Sequence, residues 1–280
     1  MNRAALTLSR AWVLADLGLG RLGGSPCPSC GTAPTEPPAH RWGPLNAFPV
    51  WRCQKCGLLY RPTGFTAPGV TSFYYSWMYS NANLATDVGA IDDLQQVRDS
   101  MGSRRRAALL RDVAPVEGGG SRPPVVYVLG CSWGYEVWDL QQSGFRAVGV
   151  EVSSPRRNLG RQRLNLPLYA TLQEAAANEP PPDIVMSSHV LEHVPRVEAY
   201  LDDVLATVTP RFHVHMTPNV EPYPADPATH PLIGREHPIG VTRAFWQRYA
   251  ATRSLDLTTR VDRYRPNEWS GELVAVLKPA

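Results

Sequence analysis

The sequence predicts an α/β fold in which a doubly wound, mostly parallel sheet follows a small zinc ribbon and a helical linker. Two observations lead to this prediction. From residue 125 onward, short apolar runs alternate with helix-like stretches, as the strands and helices of a parallel sheet do. Four of the five cysteines form two C-x-x-C pairs near the N-terminus, which is the spacing of a metal-stapled module.

Composition limits the class of protein only loosely. A hydrophobic fraction of 43% in 280 residues is enough for a sizeable core, and a net charge of +3 neither requires nor excludes nucleic acid. No run of 18 apolar residues indicates a membrane span. Residues 1–24 resemble a short amphipathic helix whose Asp16 interrupts any signal-peptide core, so we expect a cytoplasmic protein.

The cysteine pairs lie in residues 25–66. Cys27, Cys30, Cys53 and Cys56 are expected to hold a structural Zn²⁺ in a closed tetrahedral site, because so small a segment needs a staple to fold. A redox C-x-x-C pair is the alternative, which the doubling of the motif on a proline-rich segment disfavours.

Residues 67–116 are expected to form a helical linker. They contain an aromatic cluster, FYYSWMY, and then IDDLQQVRDSMGSRRRAALLRDV. We expect a helix that packs the ribbon onto the rest of the chain; the alternative is that Tyr74, Tyr75 or Tyr79 forms a lid over a ligand. The basic run Arg104–Arg106 is expected to be a solvated helix face.

Residues 117–280 are expected to form the main domain. The predicted strands are VVYVL (125–129), RAVGVEV (146–152), LPLYA (166–170), DIVMSS (183–188) and RFHVHMTPN (211–219), with LDLTTRV and GELVAVLK as a closing pair. Helices are expected over YEVWDLQQSG, PRRNLGRQRL, TLQEAAA and residues 196–207.

A glycine-containing turn follows the first predicted strand. In VVYVLGCSWG, small residues lie between a buried strand and a helix start, where the backbone can approach a ligand closely. Glu151 stands at the end of the second strand, where an acidic residue accepts hydrogen bonds from ribose hydroxyls in dinucleotide-binding folds. The two features together predict a nucleoside-containing cofactor.

Four blocks in order, GCSWGYEVWDLQQSGFRAVGVEVS, DIVMSSHVLEHVP, HMTPN and HPIGVTRAFWQRY, resemble class I S-adenosylmethionine-dependent methyltransferases, which are Rossmann-like. The resemblance covers about residues 120–280. It implies that S-adenosyl-L-methionine binds along these blocks. The turn would embrace the methionine part, and Glu151, with Val152 beside it, would hold the ribose. Thr171 and Leu172 would flank the adenine, and the corner from Ser187 and Ser188 to His189 would face the methionine end and the acceptor. The turn consists of Gly130, Cys131, Ser132, Trp133 and Gly134.

Two positions depart from the family pattern. Val128 stands where many members have an acidic residue, and Ser132 replaces the middle glycine of the turn. Serine is compatible with the turn if its φ is negative. Cys131 is expected to be a small buried packing residue.

SSHVLEHVP contains H-x-x-E-H, the inverted zinc-peptidase order. That motif needs a continuous helix, whereas this segment follows a predicted strand directly and Pro195 discourages a helix through it. We therefore expect a strand-to-helix corner. In methyl transfer a base of near-neutral pKa helps to activate the acceptor, and His189 is the favoured candidate, ahead of Glu192 and His193.

Two further groups of histidines are present. His213 and His215 alternate with apolar residues and are expected to be core histidines, with His215 nearer the pocket. The loop TPNVEPYPADPATHPLIGREHPIG is long enough to form an acceptor pocket. Its acceptor-site candidates are Tyr223, His230, Glu236 and His237; a metal site from Asp226, His230 and His237 is an alternative.

The sequence thus predicts a methyltransferase that acts on O, N or C of a small molecule, such as a secondary metabolite or sugar intermediate. One alternative is a ribosomal RNA base methyltransferase, for which Arg104–Arg106, Arg156–Arg157, Arg161 and Arg163 would form a basic channel. The other is a non-catalytic scaffold that binds a protein partner through the ribbon.

Overall fold

The computed structural model describes residues 3–42, 48–94, 96–97, 104–115, 122–222, 233–234, 237–262 and 271–280. Within these ranges the strands are β1 (His40–Trp42), β2 (Phe48–Arg52), β3 (Leu59–Tyr60), β4 (Val125–Leu129), β5 (Arg146–Val150), β6 (Leu168–Tyr169), β7 (Ile184–Ser188), β8 (Phe212–Pro218), β9 (Ile239–Gly240), β10 (Leu255–Asp262) and β11 (Glu272–Pro279).

The α-helices of the same ranges are α1 (Arg3–Leu22), α2 (Pro68–Phe73), α3 (Ser80–Asp92), α4 (Arg104–Val113), α5 (Tyr135–Gln142), α6 (Ser154–Leu164), α7 (Leu172–Asn178), α8 (Val197–Thr207) and α9 (Arg243–Ala251). A π-helical segment, Tyr74–Tyr79, joins α2 to α3, and a 3₁₀ turn spans Leu191–His193. None of the described helices combines the length and the apolar character that crossing a membrane requires.

The main sheet has seven strands in the order β10-β11-β8-β7-β4-β5-β6. Strands β4 to β8 run parallel, and β11 is antiparallel to both β8 and β10. Strand β4 lies in the centre, where Val128 pairs with Gly149 on one side and Met186 on the other. The prediction of a mostly parallel sheet is confirmed.

Helices cover both faces of this sheet because the central strands are apolar on both faces. Val126 and Val128 of β4 pack in one core, which includes residues of α4 and α5. Val125, Tyr127 and Leu129, which point the other way, pack in a second core with residues of α7 and α8. The doubly wound arrangement is thereby confirmed. Each predicted strand and helix of this domain is present with bounds that differ by at most two residues; β9 and α9 were not predicted as elements.

The ribbon forms a four-stranded sheet, β1-β2-β3-β9, whose last strand comes from the main domain. Tyr60 pairs with Ile239 and Leu59 with Gly240. A side chain at Gly57 would lie 2.9 Å from the Cβ of Ala244, so the second knuckle packs directly on α9. The ribbon is therefore built into the main domain.

Helix α1 docks on the segment that follows the ribbon. The buried Asp16 carboxylate accepts hydrogen bonds from Arg61 Nη1 (2.8 Å), Thr63 Oγ1 (2.7 Å) and the backbone N–H groups of Gly64 (2.8 Å) and Phe65 (2.7 Å). Asp16, which the sequence analysis used only to exclude a signal peptide, is thus the anchor of the N-terminal helix.

The linker is helical over a longer stretch than the sequence predicts. Helicity begins at Pro68, and the aromatic cluster itself forms the π-helical segment before α3. Arg156 of α6 forms an ion pair with Asp87 of α3 at 2.7 Å, which fixes the linker to the main domain. The expected packing role of the linker agrees with these contacts.

Candidate functional site

The turn between β4 and α5 has the backbone geometry that its glycines permit. Gly130 has φ of 66° and Gly134 φ of 94°, both in the left-handed region. A Cβ at Gly130 would lie 2.4 Å from Val190 Cγ2, so this turn touches the corner that follows β7. Ser132 also has a positive φ of 54°, contrary to the negative value that the sequence analysis required. A non-glycine residue adopts this conformation only where its surroundings hold it there.

Glu151 provides that constraint. This residue follows β5 and is 8% exposed. Its Oε2 accepts a hydrogen bond from Ser132 N at 2.9 Å, and its Oε1 accepts one from Ser153 N at 2.7 Å. Each carboxylate oxygen has two lone pairs, so both retain capacity for a ribose hydroxyl. The turn and the carboxylate therefore fit a nucleoside-containing cofactor.

Two other predicted cofactor residues are accessible at this edge of the sheet. Val152 is 44% exposed, and Thr171 is exposed at the N-cap of α7, where its side chain accepts a hydrogen bond from Glu174 N. Leu172, by contrast, is buried in the core with Val150. Only its backbone is available to a ligand.

Cys131 and Trp133 face inward from the turn. Cys131 is buried, and a Cβ at Gly149 would lie 2.5 Å from its Sγ. Burial raises the pKa of the Cys131 thiol well above its usual value, so the predicted packing role is confirmed. Trp133 packs with Ile91 and Tyr135.

Ser187 and Ser188 end strand β7 in different environments. Ser187 is fully buried, and its Oγ lies 2.8 Å from His215 Nδ1. Ser188 is half-buried, and its Oγ accepts a hydrogen bond from Arg106 Nη2 at 2.9 Å. Both side chains are therefore occupied within the chain.

The corner after β7 is formed by backbone contacts rather than by a continuous helix. His189 has φ of 53° and donates its backbone N–H to Met216 O at 3.0 Å. The 3₁₀ turn Leu191–His193 follows. This confirms the expected strand-to-helix corner and excludes the long helix that an H-x-x-E-H peptidase needs.

The His189 ring lies between two carboxylates. Nε2 is 2.6 Å from Glu272 Oε1, and Nδ1 is 3.2 Å from Glu192 Oε1. Desolvation lowers the pKa of His189, but the hydrogen bonds and charges of Glu192 and Glu272 outweigh it and raise the pKa to about 10. An imidazolium has no lone pair for a proton, so this arrangement disfavours His189 as the general base.

Arg106 holds Glu272 from the other side. Its Nη1 and Nη2 donate to the two carboxylate oxygens of Glu272 at 2.6 Å and 2.8 Å, and its Nε lies 3.3 Å from Glu136 Oε1. Burial raises the pKa of Glu272, but Arg106 and His189 overcome this and lower it to about 2. The expectation of a solvated face is wrong for Arg106, whose side chain is only 12% exposed; the side chains of Arg104 and Arg105 lie outside the described part.

Glu192, His193 and His237 come together beyond His189. Their potential ligand atoms all lie within 4.8 Å of one another. Glu192 is 1% exposed, and apart from the ion-pair contact of its Oε1 with His189 Nδ1 at 3.2 Å, neither carboxylate oxygen has a hydrogen-bond partner among the described residues. The rings of His193 and His237 meet edge to face with centroids 4.7 Å apart. Tyr75 OH lies 3.0 Å from His193 Nδ1. His237 was predicted as an acceptor-site residue of the long loop, and its contact with Glu192 and His193 appears only in the fold.

A small, half-open cleft with an accessible volume of about 30 Å³ borders this cluster at His193. Aromatic side chains form much of its wall, and the buried ion pair of Arg61 and Asp16 lies within it. The aromatic residues are Trp12, Phe65, Tyr74 and Tyr75. Two of the tyrosines predicted as a possible lid therefore line the cleft; the side chain of Tyr79 is outside the described part.

His213 and His215 lie in the core, as predicted. Both are almost fully buried, at 3% and 1% exposure, and His215 stacks on Trp246 with ring centroids 5.5 Å apart. Burial lowers the pKa of His213 to about 4. Burial, together with the charge of His213, lowers that of His215 to about 3.

The four ribbon cysteines converge. Cys27 Sγ and Cys56 Sγ are 3.6 Å apart, Cys30 Sγ and Cys53 Sγ are 3.5 Å apart, and none forms a disulfide. Zinc–sulfur bonds of about 2.3 Å in a tetrahedron place sulfurs about 3.8 Å apart. The four thiols therefore fit a tetrahedral metal ion such as zinc.

Those arginines proposed for a basic RNA channel whose side chains are described have partners in the chain. Arg156 pairs with Asp87, and Arg163 pairs with Asp92. Arg157 and Arg161 donate to the backbone oxygens of Glu151 and Leu168, respectively. These contacts, with that of Arg106, weaken the case for a phosphate-binding surface.

Four residues predicted for the acceptor loop lie outside the described residues: Tyr223, Asp226, His230 and Glu236.

Comparisons with known proteins agree with the fold. The profile of a family described as a methyltransferase domain matches residues 103–260. No curated protein matches the chain.

Among solved structures, the Burkholderia thailandensis 1,6-didemethyltoxoflavin-N1-methyltransferase, with its substrate and S-adenosylhomocysteine bound, is 15% identical and has a TM-score of 0.50; the match covers 86% of this chain and 99% of that one. The plantazolicin methyltransferase BpumL in complex with S-adenosylhomocysteine is 7% identical, with a TM-score of 0.51 and coverage of 75% and 94%. The small RNA methyltransferase HEN1 is 16% identical, with a TM-score of 0.46 and coverage of 63% and 25%.

Proposed function

The chain belongs to the methyltransferase domain family and is an S-adenosylmethionine-dependent methyltransferase, and we propose that its acceptor is a small molecule bound in the aromatic cleft beside His193. The observation that carries this proposal is the position of the cleft. Val190 touches Gly130 of the cofactor turn, and His193, three residues further on, lines the cleft. Donor and acceptor sites would thus share one corner.

On the donor side, the turn Gly130–Gly134 would embrace the methionine part and Glu151 would accept hydrogen bonds from the ribose. Val152 and Thr171, which are exposed at the same edge, would border the nucleoside. S-adenosylmethionine supplies a methyl group already activated by the positive sulfur. The task of the chain is therefore to place the acceptor in line with the sulfur–methyl bond.

The transfer itself is a direct displacement. A lone pair on O, N or C of the acceptor forms a bond to the methyl carbon, while the sulfur–methyl bond breaks and its electron pair stays on sulfur. The products are S-adenosylhomocysteine and the methylated acceptor, whose proton would pass to the group formed by Glu192, His193 and His237 and from there to solvent. Glu192, His193 and His237 would act on the reacting group of the acceptor, and His189 would position Glu192.

The lining of the cleft favours a small, partly apolar or planar acceptor. The half-buried side chains of Trp12 and Tyr75 offer aromatic and apolar contact. An RNA substrate would instead need unpaired arginines along one surface, and five of the arginines considered for that role, Arg106, Arg156, Arg157, Arg161 and Arg163, contact partners within the chain. We assign a structural Zn²⁺ to the four ribbon cysteines, with no part in methyl transfer.

The test uses methyl-labelled S-adenosylmethionine with two acceptor pools from the same cells, an extract of small molecules and total RNA. We expect label in the small-molecule pool with the wild-type protein, and its loss with Glu151→Ala. Label in RNA would replace the proposal with the RNA alternative. Label in neither pool, from a protein that binds S-adenosylhomocysteine, would contradict it and favour a scaffold.

A further inference from the structure

We infer that Glu192, His193 and His237 form a second metal site, for a divalent first-row transition metal, at the edge of the cleft. It is separate from the cysteine site of the ribbon and uses only one histidine of the H-x-x-E-H motif. The other, His189, is held by Glu272. The third ligand, His237, comes from the segment just before β9.

The geometry brings three suitable donors to one point. Their ligand atoms lie within 4.8 Å of one another. Nitrogen and carboxylate ligands of a tetrahedral ion at about 2.0–2.2 Å are about 3.4 Å apart. Rotation of the half-buried imidazoles of His193 and His237 would close the difference. No rearrangement of the main sheet is needed.

The state of Glu192 is an independent indication of a cation. Glu192 is 1% exposed, and its carboxylate has one ion-pair contact among the described residues, from His189 Nδ1 to Oε1 at 3.2 Å, while Oε2 has no hydrogen-bond partner there; such burial is costly. Buried charges of this kind are paired or coordinate metals. Three imidazoles lie near it, those of His189, His193 and His237. A cation bound between Glu192, His193 and His237 would give the carboxylate a further charged partner.

The surroundings resemble the outer shell of a metal site. Ligating histidines and carboxylates usually contact a further group that fixes their orientation. Here Tyr75 OH lies 3.0 Å from His193 Nδ1, and His189 Nδ1 lies 3.2 Å from Glu192 Oε1. Arg106 and Glu272 in turn hold His189. The proposed ligands are therefore supported from several elements.

The donor set indicates the class of metal. Two imidazoles and one carboxylate suit Zn²⁺, Mn²⁺, Fe²⁺ or Co²⁺, and three protein ligands leave a coordination position open. That position would face the cleft. The role of the ion in the reaction rests on the proposed function. At the open position the ion would bind an oxygen or nitrogen of the acceptor and lower the pKa of that group, which would remove the need for a histidine base.

The competing account is that protons on the histidines alone balance Glu192. The test titration uses protein that carries one equivalent of zinc, which the four thiolates take up, and adds Mn²⁺ while the electron paramagnetic resonance signal of free Mn²⁺ is followed. It distinguishes the two accounts because thiolate sites do not select Mn²⁺. We expect one bound Mn²⁺ per chain. His237→Ala and Glu192→Gln should each weaken binding about tenfold or more, and Tyr75→Phe by a smaller factor.

His40→Ala, which changes a histidine of the ribbon, is the matched control and should bind Mn²⁺ as the wild type does. Titrations with Co²⁺ and Zn²⁺ cover a site that prefers those ions. The inference is overturned if none of the three ions binds beyond the ribbon site, or if His237→Ala and Glu192→Gln leave the affinity unchanged. Calorimetry of each variant with S-adenosylhomocysteine should show normal binding, which separates this outcome from failure of the proposed function.

Discussion

Arg106 on α4 and Glu272 at the start of β11 form a two-pronged ion pair, with N–O distances of 2.6 Å and 2.8 Å. The pair joins positions that are 166 residues apart and lies against His189, at the corner beside the cofactor turn. A linker helix, the antiparallel edge of the sheet and the candidate site are thus connected through two side chains that are largely shielded from water.

Removing Arg106 should destabilise the fold. Arg106→Met leaves the Glu272 carboxylate buried without its main partner, and we expect the free energy of unfolding to fall by about 3 kcal/mol. Urea denaturation measures this. The matched control is Arg260→Ala, which breaks the more exposed pair with Asp112 and should cost less than about 1 kcal/mol. Equal effects of the two substitutions would contradict the role given to Arg106.

Asp16→Ala should release the N-terminal helix. The substitution leaves Arg61 and the N–H groups of Gly64 and Phe65 without the carboxylate that accepts from them. Limited proteolysis should then cleave α1 faster than in the wild type. Asp16→Asn keeps one acceptor oxygen and should give an intermediate rate. Unchanged cleavage in Asp16→Ala would mean that α1 docks by other contacts.

Loss of the ribbon metal should affect the main domain. We expect the ribbon to hold one zinc per chain, which is lost in Cys53→Ser and retained in Cys131→Ala. Because β3 pairs with β9 and Thr242 Oγ1 donates to Gly57 O at 2.8 Å, amide protection in β9 should fall with the zinc. Hydrogen exchange measures this. Protection that stays intact in zinc-free protein would show that β9 does not depend on the ribbon.

His213 and His215 should make stability depend on pH. Their pKa values in the folded state, about 4 and about 3, lie below the ordinary value of 6.5. As pH falls, these histidines take up protons in the unfolded chain before they do so in the folded chain. Their contribution to the free energy of unfolding is therefore fully present above pH 6.5 and is lost as pH falls toward 4. Each histidine gives a slope of up to about 1.4 kcal/mol per pH unit.

The variant His213→Leu removes one of these two titrating side chains. Its unfolding free energy, measured by urea denaturation from pH 7 to pH 5, should fall less steeply than that of the wild type by the contribution of one histidine. Parallel curves for the two proteins would mean that His213 is not held neutral in the fold.

The strands of the main domain are predictable from the sequence because buried parallel strands leave continuous apolar runs such as VVYVL. The turn at Gly130 and the acid at Glu151 are recognisable for a similar reason, since their spacing follows from one strand–helix–strand unit. The ribbon cysteines are visible through their paired spacing alone.

Other features depend on contacts between distant segments. Arg106 resembles its two arginine neighbours in the sequence, and only folding brings it to Glu272. The meeting of His193 with His237 likewise depends on the pairing of β9 with the ribbon. Strand β9 has two residues, too few to show a period. The positive φ of Ser132 occurs where related turns have a glycine, but the hydrogen bond from Ser132 N to Glu151 that accompanies it is visible only in the fold.

The central claim is that the turn Gly130–Gly134 and Glu151 bind the methyl donor, and calorimetric titration with S-adenosylhomocysteine tests it most directly. We expect micromolar binding by the wild type and by Asp256→Ala, a control that changes an exposed acid on β10. Glu151→Ala should bind about tenfold more weakly or worse, because hydrogen bonds to a charged group contribute about 1.5–3 kcal/mol. No binding by folded, zinc-loaded wild type, or equal affinity in Glu151→Ala, would contradict the account.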